Sequence, residues 1–351
     1  MEFSTHAHEQ LIHRQDPASG LRAVIAIHST RLGPAAGGCR HWVYENTEAA
    51  VCDALRLAEG MTYKNALADI PFGGGKSVIL GQPEQPLSQR QLEVFGSWIE
   101  ELNGAYITAE DVGMRVADMR LIARKTRFVS GLGLAGVGGD PSPSTALGVY
   151  NGMVTAVRRK FAVDELHGLR VAVQGLGNVG LSLCELLARA GARLVVADLN
   201  PDRVAEVVSR FGAQSCASEE ILQQDVEVIA PCALGSVLTA ASVAQLSAGV
   251  VAGSANNQLA SPEVADLLFA RGILYAPDYV INAGGVISIA HEYLGKNDSS
   301  WVAERINGIG SRLRRIFAES ESAQCSTESV ARGLADDRLE EGGHAELRVV
   351  A

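Results

Sequence analysis

The chain has 351 residues, more than one hydrophobic core usually serves, so two domains are expected. Its composition, 47% hydrophobic with 37 glycines and 5% aromatics, is typical of a layered α/β protein and excludes a disordered chain. A formal net charge of −10 argues against nucleic acid as a partner, because binding to a polyanion depends on lysine and arginine.

Cysteine usage and hydropathy argue against several other classes of protein. The six cysteines are scattered without a CxxC pair, which fits neither a zinc site nor a disulfide framework, so reduced thiols are expected. The apolar runs are strand-sized and far shorter than the roughly 20 residues of a membrane helix. The N-terminal segment is polar and lacks the basic start and apolar core of a signal peptide. We therefore expect a cytoplasmic protein without a membrane partner.

The first part of the chain alternates between strands and helices. The apolar patterns predict strands at 21–28, 77–80 and 105–108, and helices at 46–60 and 88–103. Glycine and proline then crowd residues 130–144, which predicts an irregular hinge. We therefore expect a first α/β domain over residues 1–140.

The second part shows a more regular alternation. Helices are predicted at 145–161, 178–190 and 201–211, and strands at 170–174, 193–197, 226–230, 250–252 and 273–276. Parallel strands joined by crossover helices form a doubly wound sheet, so we predict a Rossmann domain over 141–300. Helices at about 300–340 could pack back on the first domain, and the polar residues 334–351 are expected to form a mobile tail.

A glycine motif for dinucleotide binding follows the strand at 170–174. It comprises Gly175, Leu176, Gly177, Asn178, Val179 and Gly180. The glycines permit a tight turn and close approach to a pyrophosphate, and the following helix directs its N-terminus at the phosphate charge. Asp198, at the end of the next strand, can accept the ribose hydroxyls and would repel a 2′-phosphate, which favours NAD over NADP. The alternative for the glycine motif is a βα turn that binds no ligand. The alternative for Asp198 is that its side chain caps the helix that begins near Pro201.

Two lysines and a carboxylate form a second group of candidates. Lys64 and Lys76 frame the glycines of the sequence PFGGGK, which we interpret as a loop, and Asp111 follows a predicted strand. Lys76, partly desolvated and near a second cation, could serve as a base. Asp111 could transfer protons or cap a helix, and Lys64 could simply favour a helix dipole and remain in water.

Several motifs together resemble the glutamate/leucine/phenylalanine/valine dehydrogenase superfamily. They are EGMTYKNA, PFGGGKSVI, ITAEDVG, GDPSPSTALGVY, VQGLGNVG, APCALG, AGSANNQL and APDYVINAGG, spread over residues 21–338. The length is similar to that of the leucine, phenylalanine and valine branch. The resemblance implies an N-terminal substrate domain, a C-terminal NAD domain, a cleft that closes for catalysis, and a homo-oligomer.

The resemblance also implies roles for individual residues. Lys64 binds the substrate carboxylate, Lys76 is the catalytic base, Asp111 relays protons, and Asn282 makes a second contact with the polar end of the substrate. Thr145 and Asn256 match positions close to the nicotinamide. Hydride transfer from the substrate Cα then gives an iminium ion, Lys76 activates water, and Asp111 assists the loss of ammonia. This chemistry needs no metal.

The side-chain pocket implied by the resemblance is apolar. Its candidate residues are Gly37, Met61, Ala109, Val286 and Ile289. Ala36 replaces a frequent leucine and enlarges the pocket, Ile289 is bulkier than the expected valine, and Met114 replaces a common threonine. Ala109 and Ile289 favour leucine or another branched-chain amino acid. An aromatic amino acid such as phenylalanine or tryptophan is the alternative, and a catalytically silent NAD-binding regulatory protein is a third hypothesis, disfavoured because both lysines and Asp111 are present.

Overall fold

The chain folds into two compact units. The computed structural model describes residues 8–133, 140–233, 235–295 and 299–342. The first unit contains the described residues of Met1–Gly139, Ile289–Asp298 and Ala335–Ala351, and the second contains those of Asp140–Ser288 and Ser299–Leu334. The division between Gly139 and Asp140 falls inside the glycine- and proline-rich segment, of which residues 134–139 lie outside the described residues.

The first unit is built on a mixed five-stranded sheet in the order β1-β2-β4-β3-β5. Its strands are β1 (Gln10–Asp16), β2 (Leu21–Ser29), β3 (Ala35–Trp42), β4 (Gly73–Leu80) and β5 (Tyr106–Glu110), and its helices include α1 (Thr47–Leu67), α2 (Gln89–Glu100) and α3 (Val116–Ile122). Strand β3 runs parallel to both β4 and β5, whereas β2 pairs antiparallel with β1 and β4. The carboxyl ends of β3, β4 and β5 therefore lie at one edge of the sheet.

Helix α1 packs on this sheet through alanines. Its N-terminus is capped by Asn46, whose side chain accepts a hydrogen bond from the backbone N–H of Ala49. Ala50, Ala54 and Ala58 are fully buried against apolar residues of β2 and β4. These small side chains allow the helix backbone to approach the sheet closely, which fixes the position of everything carried by its last turns.

The glycines of PFGGGK are not a loop, as the sequence suggested, but the first three residues of β4. A Cβ atom at Gly74 would lie 2.1 Å from the amide nitrogen of Thr62 in α1, and one at Gly73 would lie 1.9 Å from the carbonyl oxygen of Ser29. Glycine is required here because α1 and β2 press against the strand on both sides. The pattern is therefore one of close packing in a central strand.

The second unit contains a parallel six-stranded sheet in the order β11-β10-β9-β6-β7-β8. Its strands are β6 (Arg170–Gln174), β7 (Arg193–Ala197), β8 (Gln214–Ser215), β9 (Val228–Pro231), β10 (Val250–Val251) and β11 (Leu274–Tyr275). The chain moves outward from β6 to β8 and then returns to β9 on the other side of β6. This reversal is the switch point at which doubly wound sheets bind ligands, and it confirms the predicted α/β class.

Helices complete the second unit and continue to the C-terminus. They are α4 (Ser142–Phe161), α5 (Asn178–Arg189), α6 (Pro201–Phe211), α7 (Ala240–Gln245), α8 (Glu263–Ala270), α9 (Asp278–Ile281), α10 (Gly284–Tyr293), α11 (Ser299–Ala323) and α12 (Thr327–Gly342). Helix α11 packs on α4 and belongs to the second unit. No helix in the described ranges is long and apolar enough to cross a membrane.

The prediction of a mobile tail from residue 334 is wrong as far as residue 342, because α12 continues to Gly342. Ala335 is fully buried and Leu339 is 7% exposed, so the last turns contribute to a core. Arg338 forms an ion pair with Asp69 at 2.9 Å, within the first unit. The prediction failed because the sequence here is mostly polar and shows no clear apolar helix face. Two buried apolar side chains, Ala335 and Leu339, are enough to pack these turns against the protein. Residues 343–351 of the predicted tail lie outside the described residues.

Candidate active site

Lys76 and Asp111 form a buried ion pair in the first unit. Lys76 is the fourth residue of β4, and Asp111 directly follows β5. The lysine Nζ lies 2.6 Å from Asp111 Oδ2, and the two side chains are only 7% and 18% exposed. Asp111 does not cap α3, because Arg115 occupies the N-cap position. Its carboxylate is therefore available to the lysine.

The pair meets across β3, the strand between β4 and β5. A Cβ atom at Gly38 would lie 2.8 Å from Asp111 Cβ, and one at Gly37 would lie 1.8 Å from the carbonyl oxygen of Gly75. Glycine at position 38 therefore leaves room for the Asp111 side chain, and glycine at position 37 allows the backbones of β3 and β4 to approach closely. The predicted substrate residue Gly37 also accepts a hydrogen bond from the Tyr106 hydroxyl at 2.6 Å.

Asp111 is held as a carboxylate by two cations. Burial by itself would raise its pKa, but the Lys76 ammonium and the Arg40 guanidinium outweigh burial and hold the pKa of Asp111 well below its usual range. Arg40 donates from Nε to Asp111 Oδ2 at 3.2 Å. Sequence reasoning missed Arg40. The available signal was an arginine within a strand of small, buried residues.

Lys64 lies on the last turn of α1 and is 8% exposed. Two contacts hold this turn on β4: the Asn65 side chain donates to the carbonyl oxygen of Gly73 at 2.6 Å, and Thr62 covers Gly74. Thr62 Oγ1 also lies 2.8 Å from His28 Nδ1. Lys64 is thus part of a fixed turn that packs against the strand carrying Lys76. It is not a solvated residue at a helix end.

The predicted pocket residues lie on four elements, with Gly37 on β3. Met61 of α1 is half-buried, and its Cγ would be 3.2 Å from a Cβ at Gly37. Ala109 in β5 is 7% exposed and pairs with Gly38 of β3. Half-buried Val286 and Ile289 are three residues apart on α10, so they share a helix face. Ala36 in β3 is half-buried and Met114 is buried.

The glycine motif of the second unit occupies the switch point between β6 and β9. Gly175 has φ +95°, and a Cβ there would lie 2.8 Å from the Ala233 backbone after β9. A Cβ at Gly180 would lie 2.0 Å from the carbonyl oxygen of Gly175. Helix α5 begins at Asn178 after Gly177, which provides no side-chain cap and has open space around it. The first-turn N–H groups can therefore receive a pyrophosphate.

Asp198 follows β7 at the same edge of the sheet. Its Oδ2 accepts a hydrogen bond from the backbone N–H of Leu176 at 2.6 Å, and its Oδ1 accepts one from Asn200 at 2.8 Å. The carboxylate is thus fixed beside the glycine turn, whereas Asn200, not Asp198, caps α6. This arrangement of turn, helix N-terminus and carboxylate fits a dinucleotide.

Three more predicted residues of the second unit lie on connected segments. The Asn282 amide donates to the carbonyl oxygen of Ser254 and to Asn256 Oδ1, both at 3.0 Å. A Cβ at Gly285 would lie 2.6 Å from Thr145 Oγ1, so the glycines after Asn282 pack on the start of α4. Asn282 Oδ1 is buried without a hydrogen-bond partner among the described residues, and it remains available to a ligand group.

Models of one protein family match most of the chain. The model described as "Glu/Leu/Phe/Val dehydrogenase, dimerisation domain" matches residues 8–128, and "Glutamate/Leucine/Phenylalanine/Valine dehydrogenase" matches residues 198–332. The first covers β1 to β5 with Lys64, Lys76 and Asp111. The second begins at Asp198 and covers Asn256 and Asn282.

Individual relatives agree with the family models over nearly the whole length. The chain is 48% identical to leucine dehydrogenase of Bacillus subtilis (95% of this chain, 92% of the relative) and 44% identical to valine dehydrogenase of Streptomyces albus (95% and 93%). The crystal structure of L-tryptophan dehydrogenase from Nostoc punctiforme superimposes with a TM-score of 0.83 at 40% identity, covering 97% of this chain and 98% of that one. The chain therefore belongs to the Glu/Leu/Phe/Val dehydrogenase family of NAD(P)-dependent amino-acid dehydrogenases.

Proposed function

We propose that the protein catalyses the NAD-dependent oxidative deamination of an apolar L-amino acid to its 2-oxo acid and ammonia, and the reverse reductive amination. The observation that carries this proposal is the buried Lys76–Asp111 pair, with an Nζ–Oδ2 distance of 2.6 Å, in a chain of this family. The hypothesis of a catalytically silent NAD-binding protein is disfavoured, because burying an ion pair costs desolvation free energy and NAD binding alone does not require such a pair.

The first unit provides the groups for the amino-acid end of the reaction. Lys64, fixed on β4 by its neighbours, binds the substrate carboxylate through a charge-assisted hydrogen bond. NAD held by the glycine turn would supply the hydride acceptor, and loss of hydride from the Cα of the neutral amine would leave the substrate as an iminium ion. Once the pair has released a proton, Lys76 as the neutral amine removes a proton from the attacking water. The Asp111 carboxylate stabilises the resulting ammonium and passes the proton toward the departing nitrogen.

Hydrolysis of the iminium ion balances without a metal, and the overall deamination releases in addition the one proton that the substrate ammonium loses before hydride transfer. The water oxygen becomes the carbonyl oxygen of the 2-oxo acid, and both water protons leave on nitrogen as ammonium. Asn282, whose buried Oδ1 is otherwise unpaired among the described residues, is proposed as a second contact with the polar end of the substrate. Thr145 and Asn256 are proposed to lie near the nicotinamide, because both are on segments in contact with Asn282 or its following glycines.

We propose NAD and not NADP as the cofactor. Gly175, Gly177 and Gly180 with the first turn of α5 bind the pyrophosphate, where Leu176, Asn178 and Val179 contribute backbone N–H groups or packing. Asp198 is fixed by two backbone N–H groups and cannot turn away from a 2′-phosphate without losing them. Charge repulsion at that position therefore disfavours NADP.

The preferred substrate is proposed to be leucine or another branched-chain amino acid. Ala109, Val286 and Ile289 are apolar, so a glutamate side chain would lose its hydration without gaining a partner, at a cost of several kcal/mol. The leucine and valine dehydrogenases among the relatives support this choice. An aromatic substrate is the second candidate, because the L-tryptophan dehydrogenase structure covers 97% of this chain and Ala36 leaves additional room.

We also propose that the enzyme is a homo-oligomer in the cytoplasm. The family model over residues 8–128 is described as a dimerisation domain, which supports self-association. All six cysteines are free, and reduced thiols fit a reducing compartment. Size measurement of the purified protein by light scattering tests the oligomer directly; a monomer at assay concentration would contradict it.

NADH formation followed by absorbance tests the reaction and the substrate together. The panel contains leucine, valine, phenylalanine, tryptophan and glutamate, each with NAD and with NADP. We expect leucine to give the highest kcat/KM and glutamate to be nearly inactive; a tenfold advantage for phenylalanine or tryptophan, about 1.4 kcal/mol, would establish the aromatic alternative. No NADH with any amino acid would refute the proposed function.

The catalytic assignment is tested with Lys76→Ala. This variant should lose a factor of ~10²–10⁴ or more in turnover while NADH binding, measured by fluorescence, is unchanged. Lys125→Ala removes an exposed lysine of the same unit and serves as the matched control. Turnover of Lys76→Ala at the wild-type rate would remove Lys76 from the mechanism.

A further inference from the structure

The Lys76–Asp111 pair is the end of a longer chain of ion pairs in the first unit. Asp111 Oδ2 accepts from Arg40 Nε at 3.2 Å, and the Nη1 of the same guanidinium donates to Asp53 Oδ2 at 2.9 Å. The Tyr44 hydroxyl donates to Asp53 Oδ2 at 2.7 Å. One arginine on β3 thus bridges the proposed catalytic carboxylate and a carboxylate of α1.

Arg40 and the two carboxylates that it contacts are largely buried, unlike an ordinary arginine on the protein surface. The side chains of Arg40, Asp53 and Asp111 are 20%, 15% and 18% exposed. Burial opposes its charge, but the two carboxylates outweigh burial and raise the pKa of Arg40, so the guanidinium stays charged at every working pH. Burial, with the bond to Asp53, raises the pKa of Tyr44 as well, so the tyrosine remains a donor.

The other ionisable groups near the pair do not replace this charge. Burial raises the pKa of the Cys39 thiol to about 12 and also raises the pKa of the Tyr106 hydroxyl, so both stay neutral in an assay. Asp118 of α3 adds a more distant negative charge to this region, and Arg56 forms a 3.4 Å ion pair with Asp53. Lys64 is a further lysine on a neighbouring element, the α1 turn that packs on β4.

We propose that Arg40, oriented by Asp53, is a positioning residue that keeps the Asp111 carboxylate ionised and directed at Lys76, and so sets the pH at which this pair becomes active. The inference rests on the proposed function, because it concerns the same two groups. A fixed positive charge beside the pair favours release of its proton. Without the guanidinium the pair holds its proton more tightly, and activity should begin at a higher pH.

The test is the pH dependence of kcat/KM for wild type, Arg40→Gln and Arg40→Lys with the best amino acid of the panel. The acidic limb of Arg40→Gln should move to higher pH by about 1 unit or more, as expected when a fixed positive charge is removed from beside a pair that must release a proton. In Arg40→Lys the charge remains but the two-carboxylate bridge is lost. Its limb should therefore stay within about 0.3 units of wild type while kcat falls about tenfold.

The control is Arg14→Gln, which removes an arginine–carboxylate pair with Glu101 elsewhere in the same unit and should leave the profile unchanged. A wild type without activity would refute the proposed function itself. An active wild type whose acidic limb is unchanged in Arg40→Gln would refute the inference alone. If Arg40→Gln does not fold, Arg40→Lys decides: a shifted limb or an undiminished kcat would overturn the role of Arg40.

Discussion

Two carboxyl groups, Asp278 and Glu328, are buried close together in the second unit. Glu328 is 8% exposed, and its Oε1 accepts hydrogen bonds from the Tyr279 hydroxyl at 3.3 Å and from Arg332 Nε at 3.2 Å. Burial and the negative charge of Asp278 outweigh these bonds and raise the pKa of Glu328 from 4.5 to about 7. Glu328→Gln keeps an oxygen acceptor for both donors and removes the charge.

The expected effect on stability follows from proton linkage. Between pH 4.5 and about 7 the folded state binds more protons at Glu328 than the unfolded state does, so stability falls as pH rises through this range. The loss amounts to ~3 kcal/mol at pH 8 and to less than ~1 kcal/mol at pH 5. Glu328→Gln should therefore be more stable than wild type by up to these amounts, which corresponds to a rise of roughly 5–10 °C in Tm at pH 8.

Thermal unfolding of both proteins at pH 5 and pH 8 measures the difference. Glu319→Gln is the matched control, because Glu319 also pairs with an arginine one helical turn away, at 2.6 Å, but is 43% exposed. It should change Tm little at either pH. A Glu328→Gln variant that is equally or less stable than wild type at pH 8, or whose advantage does not shrink at pH 5, would refute the assignment of a costly buried charge.

Three further variants test the cofactor site, the substrate site and the packing beneath it. Asp198→Ser should increase kcat/KM with NADP by about tenfold, mainly through KM, because the repelling carboxylate is gone; no change would contradict the NAD assignment. Lys64→Ala should raise KM for the amino acid by ~10–100-fold with a smaller loss in kcat, and an unchanged KM would exclude it from carboxylate binding. Gly74→Ala should lower the free energy of unfolding by ~1–3 kcal/mol or more, because its Cβ would lie 2.1 Å from the backbone of α1. Both Tm and activity should fall as a result. Gly60→Ala is the control, because Gly60 lies on α1 and an added Cβ there would meet nothing within 4 Å. It should raise the free energy of unfolding by up to ~1 kcal/mol and Tm slightly. Equal effects of the two substitutions would refute the packing argument.

The sequence alone predicted the central strands and several helices of the second unit, but not the short elements β8, α7 and α8. The strands at 170–174 and 193–197 and the helix at 201–211 have the predicted bounds. Their apolar runs, the asparagine cap before Pro201 and the glycine turn after β6 are local signals, and in a parallel sheet they all point to the same fold. Two strands of the first unit were missed. Strand β1 is a polar edge strand, and β3 contains two glycines and an arginine that lower its apparent strand propensity.

The tertiary structure decided how the proposed catalytic residues meet. Lys76 and Asp111 are 35 positions apart, on β4 and directly after β5, two strands that do not pair with each other. The sequence could therefore indicate the residue types but not their 2.6 Å contact. A side chain at Gly38 in β3 would meet Asp111 Cβ at 2.8 Å, so glycine at this position leaves room for the carboxylate. The bridge from Asp111 through Arg40 to Asp53 likewise joins two strands and a helix. Local sequence patterns report propensity and burial, whereas contacts between distant segments are set by sheet order and by how closely backbones can approach.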